Sequence, residues 1–248
     1  MNKSILITGA GRGIGAACAL LAAGQGYRVC VNYLSDDAAA SGVVDAIAAR
    51  GGAAFAVKAD VSDEAQVERM FREIDARFGR LDALVNNAGV LARQMRVDQM
   101  RAARIHRIMA TNVVGSILCA REAVRRMSTS HGGPGGAIVN VSSRAGVLGA
   151  AGEYVDYAAS KAAMDALTIG LSKEVAAEGI RVNGVRPGLI ETEMHASGGE
   201  PGRVARLAAS VPMGRGGQAS EVAQAVLWLL SDVASYTTGS FIEVSGGR

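Results

Sequence analysis

Seven short, nearly continuous apolar runs punctuate the chain, at 4–8, 28–33, 54–59, 82–86, 137–142, 180–186 and 241–244. Each is too short for an ordinary helix and lacks the alternation of a strand with one wet face. Each therefore reads as a strand buried on both faces, which needs helices above and below it. The intervening segments supply them. Val67, Met70, Phe71, Ile74 and Phe78 form one apolar stripe at helical spacing, with Ser62 or Asp63 placed to cap it. From Glu221 to Leu230 a second pattern turns Val222, Ala225, Val226 and Leu229 inward after a Gly-rich turn. Repeated β–α–β units with right-handed crossovers make an α/β fold, a doubly wound parallel sheet of about seven strands with helices on both faces.

The 248 residues suit one such domain, spanning 1–248 without a compositional break. Half the chain is hydrophobic but only 4% is aromatic, so the core is aliphatic. With 32 Gly and 4 Pro, turns are tight and linkers absent. Two stretches are irregular: Ser130–Gly136, a surface loop, and Glu191–Gly217, rich in Gly, Ser and Met, which reads as a mobile lid at about 191–217 over the ligand face. No apolar run reaches the length of a membrane span, and the N-terminus enters a strand without the layout of a signal peptide. Cys18, Cys30 and Cys119 are odd in number and scattered, as buried thiols in a reducing compartment are; a cytoplasmic location is expected. A formal charge of +3 does not call for nucleic acid. One cluster is basic, Arg93, Arg96, Arg101, Arg104, His106 and Arg107, and reads as a solvated helix face or subunit contact, or as a contact for an anionic substrate or partner. His106, His131 and His195 lack partners at catalytic or metal spacing, and no metal site is expected, although His195 falls in the lid within reach of a substrate.

Ligands of doubly wound sheets bind outside the carboxyl ends of the strands, where strand order reverses. The first apolar run ends there in Thr8–Gly9–Ala10–Gly11–Arg12–Gly13–Ile14–Gly15. Gly9 and Gly13 can take backbone angles closed to other residues and let a pyrophosphate approach the main chain. Gly15 lets the next helix pack on the sheet, and that helix start offers free N–H groups to phosphates. Gly11, Gly13 and Ala16 match G-x-G-x-x-A, whereas Gly9, Gly13 and Gly15 follow the spacing G-x-x-x-G-x-G.

Tyr157 and Lys161 stand four residues apart, with Ala162, Ala163, Leu167 and Leu171 following at helical spacing, so both project from one helix face. A phenol titrates near pH 10. An ammonium about 4 Å away, at an effective dielectric of roughly 20, is worth about 4 kcal/mol, enough to lower that value by about three. The pair reads as an acid/base device. Upstream, Ile138–Val139–Asn140–Val141–Ser142–Ser143 is a strand-like run ending in hydroxyls.

These pieces, in this order, resemble the single-domain branch of the short-chain dehydrogenase/reductase family. The likeness is carried by Thr8 to Gly15, Asp60–Val61, Asn86–Asn87–Ala88–Gly89, Asn112, Ser143, Tyr157 with Lys161, Pro187–Gly188, and Ser235–Tyr236–Thr237–Thr238–Gly239, nearly the whole chain. Within the family the chain is most similar to 3-oxoacyl-carrier-protein reductases and to sugar and steroid dehydrogenases. The resemblance implies a Rossmann-like fold and a set of roles. Asp60 would bind the adenine amino group, with Val61 under the ring. Asn87, Ala88 and Gly89 would line the cofactor. Pro187, Gly188, Ile190 and Thr192 would grip the nicotinamide carboxamide. Ser143 would orient the substrate oxygen, Tyr157 would donate the proton, and Lys161 would lower its pKa and hold the nicotinamide ribose. Asn112 would anchor a water linking that lysine to solvent.

Two assignments compete. Ser142 and Ser143 lie 15 and 14 positions before Tyr157, whereas the family's usual spacing is 13; aligning Gly146 with the family's glycine favours Ser143. Tyr154 is the rival phenol, but Ala158 stands where its lysine would be, which leaves it a packing or substrate-facing role. For the cofactor, relatives that prefer NAD place an acid at the position of Tyr33. Its absence here, with Arg12 in the glycine turn and donors at Asn32 and Ser35, favours NADP(H) over NAD(H); Asp36 and Asp37, one turn later, count slightly against it.

The expected function is an NADP(H)-dependent oxidoreductase that passes a hydride between nicotinamide and a carbonyl or secondary alcohol, as in 3-oxoacyl thioester or general ketone reduction. The alternatives are a sugar or steroid alcohol dehydrogenase and, from another class, a non-catalytic nucleotide sensor; a DNA-binding regulator using the arginine cluster is a third. Specificity is expected in Val147–Val155 and the lid, where Met194, Leu207, Val211 and Met213 suit an apolar ligand and Arg203 and Arg206 an anionic one. The expected partners are a small-molecule substrate and three copies of the chain: a homotetramer built on the Tyr157 helix, the Leu227–Leu230 stretch and Phe241–Ile242.

Overall fold

The computed structural model describes residues 3–248. In chain order the elements are β1 (Ser4–Ile7), α1 (Gly13–Gly24), β2 (Arg28–Tyr33), α2 (Asp37–Ala48), β3 (Ala54–Lys58), α3 (Glu64–Phe78), β4 (Ala83–Asn86), α4 (Ala102–Met109), α5 (Gly115–Met127), β5 (Gly136–Val141), α6 (Ala145–Leu148), α7 (Val155–Val175), β6 (Ile180–Pro187), β7 (Ile190–Glu191), α8 (Met194–Ser197), α9 (Arg203–Leu207), β8 (Gly217–Gln218), α10 (Ala219–Leu230) and β9 (Phe241–Val244). Seven strands pair in parallel in the order β3-β2-β1-β4-β5-β6-β9. This is the doubly wound α/β architecture expected from the apolar runs, and each run coincides with its strand to within a residue.

Burial on both faces follows the strand composition. Ile5, Ile7, Val29 and Val31 join α1, α2 and α10 in one core, while Leu6, Cys30, Leu84 and Ile138 point through the sheet to α3 and α5 in the other. Alternate residues of one strand thus feed opposite layers, which explains the uninterrupted apolar runs. The cap of α3 is Asp63, whose carboxylate accepts from Gln66 N at 3.1 Å, while Ser62 donates instead to Asp60 (2.7 Å). α10 begins in a reciprocal cap between Gln218 and Glu221.

Strand order reverses between β1 and β4, and the chain crosses to opposite faces there. The carboxyl ends of these two strands therefore open onto a crevice. The segment read as an irregular lid is more ordered than its composition suggests. β7 and β8 pair as a separate two-stranded parallel ribbon, with α8 and α9 between them.

Candidate active site

The crevice is one long trench. A cleft of about 390 Å³ runs over the glycine turn and the ends of β2 and β3, lined by Gly9, Gly11, Arg12, Gly13, Ile14, Asn32, Tyr33, Asp60, Val61, Asn87, Ala88 and Gly89 among others. A second, of about 170 Å³, is lined by Ser143, Tyr157, Lys161, Pro187, Gly188, Ile190 and Thr192. The two share Ile14, Asn87, Leu91, Thr192 and Met194 as common walls. Of the residues expected to set specificity from the lid, Met194 and Arg203 reach this trench, whereas Arg206, Leu207, Val211 and Met213 do not. All the expected catalytic and cofactor residues line it except Gly15 and Asn112.

Those two residues lie behind the wall. A Cβ on Gly15 would sit 2.5 Å from Gly9 O, 2.6 Å from Asn87 Nδ2 and 2.9 Å from Ala10 Cα, so only glycine lets α1 reach the sheet. Asn87 itself is a clamp: Nδ2 donates to Thr8 O (2.8 Å) and Gly9 O (3.1 Å), while its N–H and that of Ala88 donate to Thr8 Oγ1. Gly13 holds φ +56°, a left-handed conformation that opens the turn. α1 then begins without a side-chain cap or a first-turn acid, leaving its N–H groups directed at the trench. A bare helix start is an anion site. The fit to a dinucleotide pyrophosphate rests on that cradle.

Asn32 departs from its expected role. It is buried, its Nδ2 donates to Ala59 O (3.0 Å) and Val57 O (3.3 Å), and its Oδ1 accepts from Gly9 N (3.2 Å). The amide braces the glycine turn against β3 and is not a free donor. The two acids that weighed against a 2′-phosphate are also engaged. Asp36 caps α2 through Ala39 N (3.0 Å). Asp37 is held below the usual carboxylate range by a hydrogen bond from Tyr33 and by Lys58, 3.3 Å away.

At the other end α7 presents Tyr157 and Lys161, both buried. α7 is anchored at its start by Asp156, which accepts from Tyr157 N (2.9 Å) and pairs with Arg104 of α4 at 2.6 and 3.1 Å. Burial alone would raise the Asp156 carboxyl, but the Arg104 guanidinium outweighs it and holds the value down. Arg104, the most buried arginine of the basic cluster, is thus spent on fixing the helix that carries Tyr157.

The electrostatics of the pair differ from the simple expectation. Lys161 Nζ donates to Val141 O (2.7 Å) and lies 5.7 Å from the centroid of the Tyr157 ring. Burial pushes the Tyr157 phenol up to about 12, with the Ser143 hydroxyl pulling the other way. Burial lowers Lys161 to about 8, with Asp165 opposing. Burial thus sets the direction of both shifts, upward for the phenol and downward for the amine.

Ser142 and Ser143 separate cleanly. Ser142 is buried and donates to Lys161 O (3.0 Å), so its hydroxyl holds β5 to α7. Ser143 accepts from Ala145 N (3.1 Å) and faces Tyr157. Asn112 sits in a π-helical turn at Ala110–Val114, where its amide exchanges bonds with Val90 N (2.8 Å) and Val90 O (3.1 Å) and donates to Ser160 Oγ (3.0 Å). Its side chain therefore pins the loop after β4. π-turns of this kind are frequent at functional sites.

Arg203 and Arg206, read as contacts for an anion, are neutralised. Arg203 is buried, forks onto both Glu153 oxygens and donates to Glu200 at 2.9 Å; Arg206 pairs with the same Glu200. Sequence reasoning missed this latch and the Arg104–Asp156 anchor. Nothing in linear spacing signals pairs some fifty residues apart; the nearest cue was an acid in the first turn of α7. Among the described residues no cluster of His, Cys, Asp or Glu could hold a metal ion, and no helix is long and apolar enough to cross a membrane.

A parallel sheet with a trench at its switch point and a buried tyrosine–lysine pair at one end has the layout of a nucleotide-dependent oxidoreductase. Comparison with known proteins narrows this. A family model described as Enoyl-(Acyl carrier protein) reductase matches residues 9–248. The chain is 62% identical over 243 residues to the uncharacterized oxidoreductase YgfF of Escherichia coli strain K12, covering 98% of each. It is 39% identical over 247 residues to the 3-oxoacyl-acyl-carrier-protein reductase FabG of Staphylococcus aureus strain Mu50, covering 100% of this chain and 98% of that one. A short-chain type dehydrogenase/reductase from Mycobacterium marinum superposes with TM-score 0.92 at 36% identity, over 99% of this chain and 94% of that one. A short chain dehydrogenase from Burkholderia cenocepacia J2315 in complex with NADP gives TM-score 0.90 at 31%, over 99% and 97%. The chain belongs to the short-chain dehydrogenase/reductase family.

Proposed function

We propose that the protein is an NADP(H)-dependent carbonyl reductase, able to run in reverse on secondary alcohols. The observation that carries this reading is the meeting of Ser143, Tyr157 and Lys161 at one end of a trench whose other end is built around a bare helix start. The pyrophosphate would lie on the first turn of α1, the adenine against Asp60 and Val61, and the nicotinamide between Ile14, Asn87, Pro187, Gly188, Ile190 and Thr192. Bound there, nicotinamide supplies or accepts a hydride. The chain's own residues handle the oxygen. Ser143 donates a hydrogen bond to it, Tyr157 gives it the proton, and both stabilise charge that grows in the transition state. Lys161, lowered towards neutrality by burial, stands ready to return a proton to the phenol as the site refills.

Preference for the 2′-phosphate is supported by exposed Arg12 at the turn and by the engagement of Asp36 with Ala39 N and of Asp37 with Lys58. Residues 191–217 act as the lid, with Glu153–Arg203 as its latch, on a single catalytic domain. The protein works in the cytoplasm as a homotetramer. Half-exposed Ile169 on α7 and Trp228 on α10 support packing through those helices. A panel of plain ketones, hydroxy ketones, acetoacetyl thioesters and sugars, followed by nicotinamide absorbance with NADPH and NADH, tests the reading. Turnover with NADPH and weakening by Arg12→Gln are expected; equal use of both cofactors by both proteins would remove the phosphate preference.

A further inference from the structure

The substrate end of the trench is mostly apolar, with Leu91, Leu148, Leu189 and Met194 among its walls. Two polar atoms on those walls break the pattern. Tyr154, one turn before Tyr157, is 4% exposed, and its hydroxyl hydrogen finds no acceptor among the described residues. Gln94, whose amide donates to Glu200 (2.6 Å), also donates towards that phenol oxygen, which leaves the hydroxyl free to donate. His195, reaching in from α8, has a buried Nδ1 that is likewise unpaired. Arg203 adjoins both groups, lying 5.2 Å from the Tyr154 ring centroid and acting on His195 by its charge.

The protonation of His195 follows from its other contact. Nε2 lies 3.1 Å from Ile190 O. A carbonyl only accepts, so Nε2 carries the hydrogen and neutral Nδ1 presents a lone pair. Burial lowers the imidazole pKa, which keeps that form. The wall therefore holds an acceptor at His195 and a donor at the Tyr154 phenol. With the Arg203 charge already matched by Glu153 and Glu200, nothing there calls for an anion. The complement is a neutral group that gives one hydrogen bond and takes one.

We infer that Tyr154 and His195 select substrates bearing a hydroxyl close to the reacting carbonyl, so that the preferred class is a hydroxy ketone or, in reverse, a vicinal diol. The hydroxyl donates to His195 Nδ1 and accepts from the Tyr154 phenol. This rests on Tyr157, Ser143 and Lys161 as the reduction site. A site with buried polar groups rejects an analogue that leaves them unpaired, whereas an apolar pocket barely senses one.

Hydroxyacetone and butanone, which exchange a hydroxyl for a methyl, are the test pair. The native enzyme with NADPH should favour hydroxyacetone by about tenfold or more in kcat/KM. Tyr154→Phe should cut the ratio. His195→Gln, whose amide can keep the Ile190 bond while losing the Nδ1 acceptor, should bring it near unity, and His195→Asn, which keeps an acceptor there, should restore part of it. An equal ratio in the native enzyme, or an unchanged ratio in His195→Gln, overturns the proposal while leaving the reduction site standing. Loss of no rate in Tyr157→Phe would instead overturn that site. Should neither ketone turn over, thermal unfolding with NADP decides: propylene glycol should raise the midpoint more than secondary butanol, in the native protein and not in His195→Gln, and equal shifts overturn the proposal.

Discussion

Gly15→Ala should damage stability and cofactor binding together. The added Cβ would meet Gly9 O at 2.5 Å, Asn87 Nδ2 at 2.6 Å and Ala10 Cα at 2.9 Å. Two of these atoms are backbone, and the third is the amide that clamps the turn through Thr8 O and Gly9 O. None can yield without opening the turn. Overpacking a tight site costs about 1–3 kcal/mol, and the rigid neighbours put this case near 3. For a chain of this size that is about 6–12 °C in Tm. The same shift misdirects the N–H groups at the start of α1, so NADPH affinity should fall at least about tenfold, or about 1.4 kcal/mol. Gly42→Ala is the matched control: exposed in α2 with nothing within 4 Å of the new Cβ, it should gain about 0.5–1 kcal/mol. Thermal unfolding and a fluorescence titration with NADPH read both quantities. A Gly15→Ala protein with native Tm and native affinity would refute the claim that this contact shapes the phosphate cradle.

Ala150 sits at φ +48° on the wall of the substrate cleft, so Ala150→Gly should raise stability by about 1 kcal/mol, read as a higher Tm. Arg104→Met strands the buried Asp156 carboxylate and should cost about 3 kcal/mol in denaturant unfolding, with a fall in kcat because the start of α7 loosens. Lys161 has a folded pKa of about 8, below its unfolded value near 10.5, so the unfolded state holds more protons between them and stability from this group rises with pH across that window. Relative to Lys161→Met, the cofactor-free native protein should gain about 2 kcal/mol between pH 7.5 and 9.5; a constant difference would place the amine in water. The thiols of Cys18 and Cys119 are pushed up to about 12 and Cys30 is raised further by burial, so a thiol reagent at pH 8 should label none of them until the protein unfolds.

The strands were legible because burial on both faces leaves a local mark: Val29, Val31, Leu6 and Ile7 had to be apolar whichever layer they met. The glycine turn was legible for a similar reason, since Gly15 has no tolerated neighbour in side-chain space. Ser143 was separable from Ser142 only by alignment, because the tie of Ser142 to Lys161 O spans 19 residues and leaves no local mark. Other features left no local trace. Asn32 read as a donor to the cofactor, but its amide closes backbone gaps at Gly9 and Ala59, and such pairing is decided by tertiary register. Arg203 read as a free charge because its partners come from a turn 50 residues earlier and from Glu200. The β7–β8 ribbon escaped notice because two-residue strands carry no periodicity. The lowered phenol expected from Lys161 came from a dielectric argument that leaves out desolvation, and burial pushes the Tyr157 phenol the other way.

The central claim is that the Tyr157 phenol is the proton donor beside a bound nicotinamide. Tyr157→Phe, assayed by single-turnover hydride transfer to a ketone with NADPH titrated in parallel, tests it most directly. The account predicts a rate lower by about 10²–10⁴-fold with cofactor binding retained. A native rate in the variant would contradict it.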